Sequence, residues 1–267
     1  MKIRALIVLL VLAGAMAAGA AHAAASGGET SVYQVWFERG GKLWVSKRVQ
    51  PETTAPARAA MQSLLLGPNI AEANAGVHTL VPEGTGLLGL SVANGTATVD
   101  LSPSFGTGGG PASVRMRLAQ VAYTLTQFAG IDRVRLEVNG RVVWTLTGDG
   151  VPVPQPLTRA KFAGLLPTIA VWNPAIGSHL SGSVRVTGTA DVFEASLHVR
   201  ILSQSGAVLA RANVLASCGT GCRGGYTVLV PYTVSGTQLG TVIVSDDDTD
   251  GNGVPQHQVR VPVVLTP

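Results

Sequence analysis

The sequence predicts an α+β domain, with two helices packed on a small sheet, followed by an all-β immunoglobulin-like sandwich. Three observations predict it. Residues 32–147 mix strand-like runs with helical stripes. Residues 168–265 read almost wholly as short alternating strands. Between them, Gly148-Asp149-Gly150-Val151-Pro152-Val153-Pro154-Gln155-Pro156 carries three alternating prolines, which can build neither a helix nor a central strand and so read as a semi-rigid linker. The predicted boundaries are 30–147 for the first domain, 148–164 for the linker and 165–267 for the sandwich.

In the first domain, residues 32–37 and 43–49 read as strands around Arg39-Gly40-Gly41. Residues 57–66 read as a helix that Thr53 or Thr54 could cap and Gly67-Pro68 stops. Residues 87–92 and 96–101 flank Asn94-Gly95, a type I′ hairpin signal, and residues 134–138 and 142–146 flank a second one at Asn139-Gly140. Val114, Leu118, Val121, Ala122, Leu125 and Phe128 recur at helical spacing, with Pro111 in the first turn and Gly130 at the end. In the second domain, Leu197, Val199 and Ile201 point one way along a strand, while Ser196, His198 and Arg200 point the other. Val259, Val261, Val263 and Leu265 repeat the pattern. Turn residues divide this half into about seven strands, the profile of an immunoglobulin-like sandwich.

The N-terminus reads as an export signal. Lys2 and Arg4 precede an apolar stretch, residues 5–17, and Ala21-His22-Ala23 offers the small-x-small pattern of a cleavage site. Cleavage is expected after Ala23, giving a signal peptide at 1–23; an uncleaved anchor is the competing reading. No Cys lies near position 24, so lipid attachment is not expected, and no later segment is apolar for the ~20 residues a helical span needs. Losing Lys2 and Arg4 lowers Lys+Arg from 19 to 17 against 15 Asp+Glu, so the net charge falls from +4 to +2. The remaining cations are scattered along the chain, and no nucleic-acid partner is expected.

Certain strings are more specific than periodicity. Residues 53–67 (TTAPARAAMQSLLLG), Pro82-Glu83-Gly84-Thr85, residues 97–102 (ATVDLS) and residues 117–126 (RLAQVAYTLT) follow in an order that resembles the GerMN domain of bacterial sporulation and spore-germination proteins. Residues 188–195 (GTADVFEA) and Cys218-Gly219-Thr220-Gly221-Cys222-Arg223-Gly224 resemble the immunoglobulin-like domain that follows GerMN in such proteins. The resemblance implies a non-enzymatic envelope scaffold with a capacity for homo-oligomerisation. It departs from many relatives in lacking the lipid-carrying cysteine.

Cys218 and Cys222 are the only cysteines, and an even pair in an exported chain favours a disulfide over a redox pair or a zinc site. Asp246, Asp248 and Asp250 with Gly251 match the start of a calcium loop, yet position twelve is His257 rather than Glu; a solvated hairpin tip is the competing reading. Gly108, Gly109 and Gly110 precede the main helix, where free N–H groups could bind an anion, but the spacing is not that of a phosphate loop and a plain connection competes. The histidines after the signal are isolated, no hydrolase motif occurs, and Trp36, Trp44, Trp144 and Trp172 could stack on sugars or simply pack. The sequence therefore reads as a non-catalytic, exported envelope interaction protein whose partner is an envelope protein or a cell-wall polymer. A calcium- or wall-glycan-binding module is the alternative.

Overall fold

The structure, a computed structural model, describes residues 29–148, 150–248 and 251–267. The expected signal peptide, Asp149 and Asp250 lie outside the described residues.

The chain opens on a hairpin of β1 (Thr30–Arg39) and β2 (Lys42–Pro51), paired over its whole length from Thr30–Pro51 to Arg39–Lys42. Gly40 and Gly41 both take positive φ at its tip, which L side chains resist. Helix α1 (Pro56–Leu66) comes next, with Pro56 in the first turn. Short helix α2 (Ile70–Asn74) starts on a capping box in which the Asn69 side chain accepts from Glu72 N–H, and Glu72 accepts from Asn69 N–H. β3 (Leu87–Ala93) and β4 (Thr96–Leu101) form the hairpin expected at Asn94-Gly95, both at positive φ. Helix α3 (Pro111–Leu125) then crosses over so that β5 (Arg133–Val138) lies parallel to β4, and β6 (Arg141–Val142) completes the sheet order β3-β4-β5-β6. Parallel neighbours require such a crossover.

This half differs from the expectation in three ways. Its longer strands form two separate sheets, the expected strand 142–146 is broken so that Thr145–Leu146 leaves the hairpin for a pairing of its own, and α2 adds a third α-helix to the two expected. The four-stranded sheet and the β1–β2 hairpin both pack against α3, so α3 is buried beyond its apolar stripe: Gln120 donates to Trp36 O at 3.1 Å, and Thr124 Oγ1 accepts from Trp36 N–H at 3.1 Å.

Residues 148–164 do not run as a free spacer. β7 (Thr145–Leu146) pairs with β8 (Val151–Pro152), and Val134 and Leu157 exchange backbone hydrogen bonds. The Gln155 amide bonds both the N–H and the C=O of Leu136, and also Val143 O. A 3₁₀ segment, Arg159–Leu165, then lies on α3, and Lys161 Nζ donates to the carbonyls of Pro154 (2.9 Å) and Pro156 (2.8 Å). The stiffness of the prolines serves packing against the first domain.

The second half is a two-layer, mostly antiparallel sandwich of β9 (Ile169–Asn173), β10 (His179–Ser181), β11 (Ser183–Ala190), β12 (Ser196–Ser203), β13 (Val208–Leu215), β14 (Gly224–Pro231), β15 (Gln238–Ser245) and β16 (Gln258–Thr266). One layer runs β13-β12-β15-β16, and the other runs β9-β11-β14. Three-residue β10 lies parallel to β16 and turns the corner into β11. Leu197, Val199, Ile201, Val242, Val244, Val261, Val263 and Leu265 fill the interior, as their alternation predicts.

Candidate functional site

The strongest polar constellation joins the two halves. Arg159 lies over the rings of Trp36 (5.7 Å) and Tyr123 (4.8 Å), donates through Nε to Thr126 Oγ1, and reaches Tyr123 O at 3.1 Å. Burial lowers the pKa of its guanidinium, yet arginine remains charged at any physiological pH. Across the boundary, Lys47 donates to Asn173 Oδ1 (3.0 Å), Lys42 to Gly164 O (2.9 Å) and Arg39 to Arg260 O (2.9 Å). Beside these bonds lies a cleft of about 370 Å³ lined by Arg39, Lys42, Trp44, Ile169, Gln258 and Arg260.

Cys218 and Cys222 form a disulfide, with Cα atoms 5.8 Å apart. Its loop docks on the turn after β11: Gly221 N–H donates to Asp191, Thr220 N–H to Val192 O, and Glu194 N–H to Thr220 Oγ1. Gly219 and Gly224 are required by close approach, since a Cβ at either would overlap the backbone of Ala195 or of Cys218. Gly188 is held open similarly, because Ala170 O and the Tyr226 hydroxyl occupy the space its side chain would need. Those two atoms bond each other at 3.0 Å, and burial pushes the Tyr226 phenol far above its ordinary pKa.

The acidic turn lies at one end of the sandwich. Asp246 is buried, accepts from His257 N–H at 2.7 Å and contacts His257 Nδ1 at 2.6 Å. Asp247 bonds His198 Nε2, and Asp248 accepts from Asn252 N–H and Gly253 N–H. Both ring nitrogens of His198 face oxygens, Asp247 on one side and Asn213 Oδ1 at 2.8 Å on the other, an arrangement that suits the doubly protonated ring. Hydrogen bonds to Asp247 and Asn213 accordingly raise the His198 pKa, and the bond from His198 lowers that of Asp247. Asp246 and Asp248 thus close the turn through protein donors. Among the described residues no group of three metal-ligating side chains converges.

The glycine run Gly108-Gly109-Gly110 curls around Arg117, only 2% exposed, whose guanidinium donates to the carbonyls of Phe105 (2.7 Å), Thr107 (3.0 Å) and Gly108 (2.7 Å). Loop carbonyls, rather than amides, therefore face this cation. The tryptophans separate by burial: Trp36 and Trp44 belong to the core, while Trp144 is 65% exposed. Sequence reasoning missed Arg159, and it read Arg117, with Arg115, as charge available to an anion at the glycine run, because nothing in the spacing marks an arginine that will be enclosed. It also missed α2, although the spacing of Asn69 and Glu72 is the signal of a capping box.

Residues 30–147 match the family Germane, described as sporulation and spore germination, and residues 168–252 match Gmad2, the immunoglobulin-like domain of bacterial spore germination. The chain thus carries a Germane match followed by a Gmad2 match. The tandem GerMN domains of the Bacillus subtilis sporulation protein GerM align with 89% of this chain and 61% of theirs, at 16% identity and TM-score 0.45. The chain thus spans about three-fifths of that structure. The first GerMN domain of the same protein aligns with 49% of this chain and 99% of its own, at 23% identity and TM-score 0.40. A putative lipoprotein from Clostridium perfringens aligns with 52% of this chain and 93% of its own, at 16% identity and TM-score 0.37. No curated protein matches the chain.

Proposed function

We propose that the protein is a non-catalytic, exported envelope protein whose two domains act as one scaffold for a protein partner. The observation that carries this reading is the fixed boundary between the domains. Arg159 is packed between the first domain and its connector. Lys42 bonds the connector, and Lys47 and Arg39 bond the sandwich, so the two halves present one preorganised surface. The sporulation and spore-germination families support an envelope setting, the disulfide suits an oxidising compartment, and no helix of the described residues is long and apolar enough to cross a membrane. The test is fractionation with in-cell photo-crosslinking. The chain is expected outside the cytoplasm, crosslinked to one discrete envelope protein. Retention in the cytoplasm, or the lack of any protein crosslink, would count against the reading.

A second reading is a wall-glycan or calcium module. Trp144 favours the glycan half: its exposed indole stands beside Arg133 and Arg135 in a groove of about 280 Å³. Aromatic faces of this kind stack on sugars. Replacing Trp144 with Ala should abolish retention on purified peptidoglycan if this reading is right. A calorimetric titration with calcium and no heat would remove the part that rests on Asp246, Asp248 and Asp250.

A further inference from the structure

Cations that are far apart in sequence meet on one face of the sandwich. Arg211 on β13 pairs in register with Arg200 on β12, Arg200 with Ile243 on β15, and Ile243 with Arg260 on β16. Directly paired residues of antiparallel strands share a face. That face is the outer one, because Val199, Ile201, Val242 and Val261 point into the core. Ile243, in the middle of the row, is only 1% exposed despite lying on the outer face, as expected where arginine stems lie over an apolar side chain. The row continues past β16, where Arg39 donates to Arg260 O, with Lys42 beside it in the same cleft.

Among the described residues no ion pair closes this row, although Asp246, Asp247 and Asp248 line the same cleft as Arg200 and Arg211. Like charges directly opposite on neighbouring strands are destabilising, yet Arg200 faces Arg211, and among the described residues no carboxylate forms an ion pair with Arg39, Lys42, Arg200, Arg211 or Arg260. The acids at the end of the face are already engaged: Asp247 by His198, Asp246 by His257, and Asp248 by its own turn. Arg200 has Gln258 Oε1 as its one side-chain acceptor. A chain whose charged residues nearly balance has therefore placed five cations along one line.

We propose that this face binds a linear phosphodiester polymer laid across β13, β12, β15 and β16 toward the tip of the β1–β2 hairpin. A single small anion would need cations converging on one point, whereas these are spread along a line: Arg211 and Arg200 lie one strand spacing apart, ~4.8 Å, and Arg200 and Arg260 two, with Ile243 between them, so that charges along an extended, flexible chain can meet them in turn. Four of the five are arginines, whose planar forks match the paired oxygens of a phosphate. A phosphodiester, like a guanidinium, keeps its charge without titrating. The row shares Arg39 and Lys42 with the boundary described above, but its core, Arg200, Arg211 and Arg260, lies on the sandwich alone, and purified components test it without the protein partner.

The experiment titrates the full chain with poly(glycerol phosphate) by fluorescence anisotropy at several salt concentrations. Parallel arms use polygalacturonate, duplex DNA and vesicles containing anionic phospholipid. Binding is expected for poly(glycerol phosphate), with affinity falling steeply with salt. The triple variant Arg200→Gln, Arg211→Gln, Arg260→Gln should bind at least 30-fold more weakly and flatten the log–log salt slope by about 2, at ~0.7 per lost contact. The conservative Arg200→Lys, Arg211→Lys variant should stay within about fivefold of the parent, which separates lost charge from misfolding. Arg58→Gln with Arg141→Gln, on the other domain, should change nothing. The proposal is overturned if the polymer does not bind at low salt or if the triple variant binds as tightly as the parent. Tighter binding to polygalacturonate, to vesicles or to duplex DNA than to poly(glycerol phosphate) would overturn the assignment to a flexible, single-stranded phosphodiester chain.

Discussion

Arg48 grips Glu72 with both terminal guanidinium nitrogens, each 2.8 Å from a different carboxylate oxygen, and both side chains are largely buried. The pair ties β2 to α2, and the same carboxylate completes the capping box with Asn69. Burial of Glu72 works to raise its pKa, but the hydrogen bonds from Arg48 and Asn69 outweigh it and leave the pKa lowered. Replacing Glu72 with Gln would strand a buried guanidinium and weaken the cap. The expected loss is about 3 to 5 kcal/mol of unfolding free energy, read by urea denaturation. A loss below about 1 kcal/mol would show that the pair is not held as described.

Gly188 marks where β9 approaches β11 most closely, at the register shift between Thr187 and Gly188. A methyl group there would overlap Ala170 O and the Tyr226 hydroxyl together. Gly188→Ala should therefore lower stability by ~3 kcal/mol or more, through overpacking that the backbone cannot relieve. Tyr226→Phe removes only the bond to Ala170 O and should cost about 1 kcal/mol. The order of the two in thermal melts checks the account.

The disulfide closes a small ring on the turn at Val192–Ala195. In the loop-entropy treatment so short a ring contributes about 2 kcal/mol. Cys218→Ala with Cys222→Ala should lower the unfolding free energy by that amount and leave far-UV circular dichroism unchanged. Loss of the β-sheet spectrum instead would mean that the loop is needed for folding.

The His198–Asp247 pair gives stability a defined pH dependence. The His198 pKa is raised by its bond to Asp247, so its contribution is complete below the unfolded value near 6.5 and fades as pH rises through the folded value. The Asp247 pKa is lowered by the same bond, so its contribution is complete above the unfolded value near 4 and fades as pH falls through the folded value. The difference in melting temperature between the parent and Asp247→Asn should be largest between the two unfolded values, at about pH 5 to 6, and shrink as pH rises through the raised folded value of His198. Both groups are exposed enough for solvent to keep the effect small. In NMR titrations of the variant, His198 should titrate at lower pH than in the parent.

Much of the architecture is legible in neighbouring residues. Asn94-Gly95 and Asn139-Gly140 turn where type I′ chemistry requires, α3 follows its apolar stripe, and the alternation of 196–203 separates core from surface. Less legible is the second partner of α3. Gln120 and Thr124 look like surface positions of an amphipathic helix, and only the β1–β2 hairpin lying over them explains why they are buried. The stiffness of the proline segment is written in its residues. That Gln155 and Lys161 fasten it to the first domain and to itself depends on how the segment folds back over β5.

The sequence by itself determined the local elements, the even cysteine pair, the expectation of export and the order of the two domains, because each is written in neighbouring residues. It also spread its positive charge evenly along the chain, which suggested no charged surface. Only the tertiary structure placed Arg39, Arg200, Arg211 and Arg260 along one line across the sheet, with Ile243 between Arg200 and Arg260. A period of two says which face of a strand a side chain takes, but not which strand lies next to it. That is decided by register between segments up to some forty residues apart, set by the packing of the apolar face beneath, and for Arg39 by a contact across 221 residues.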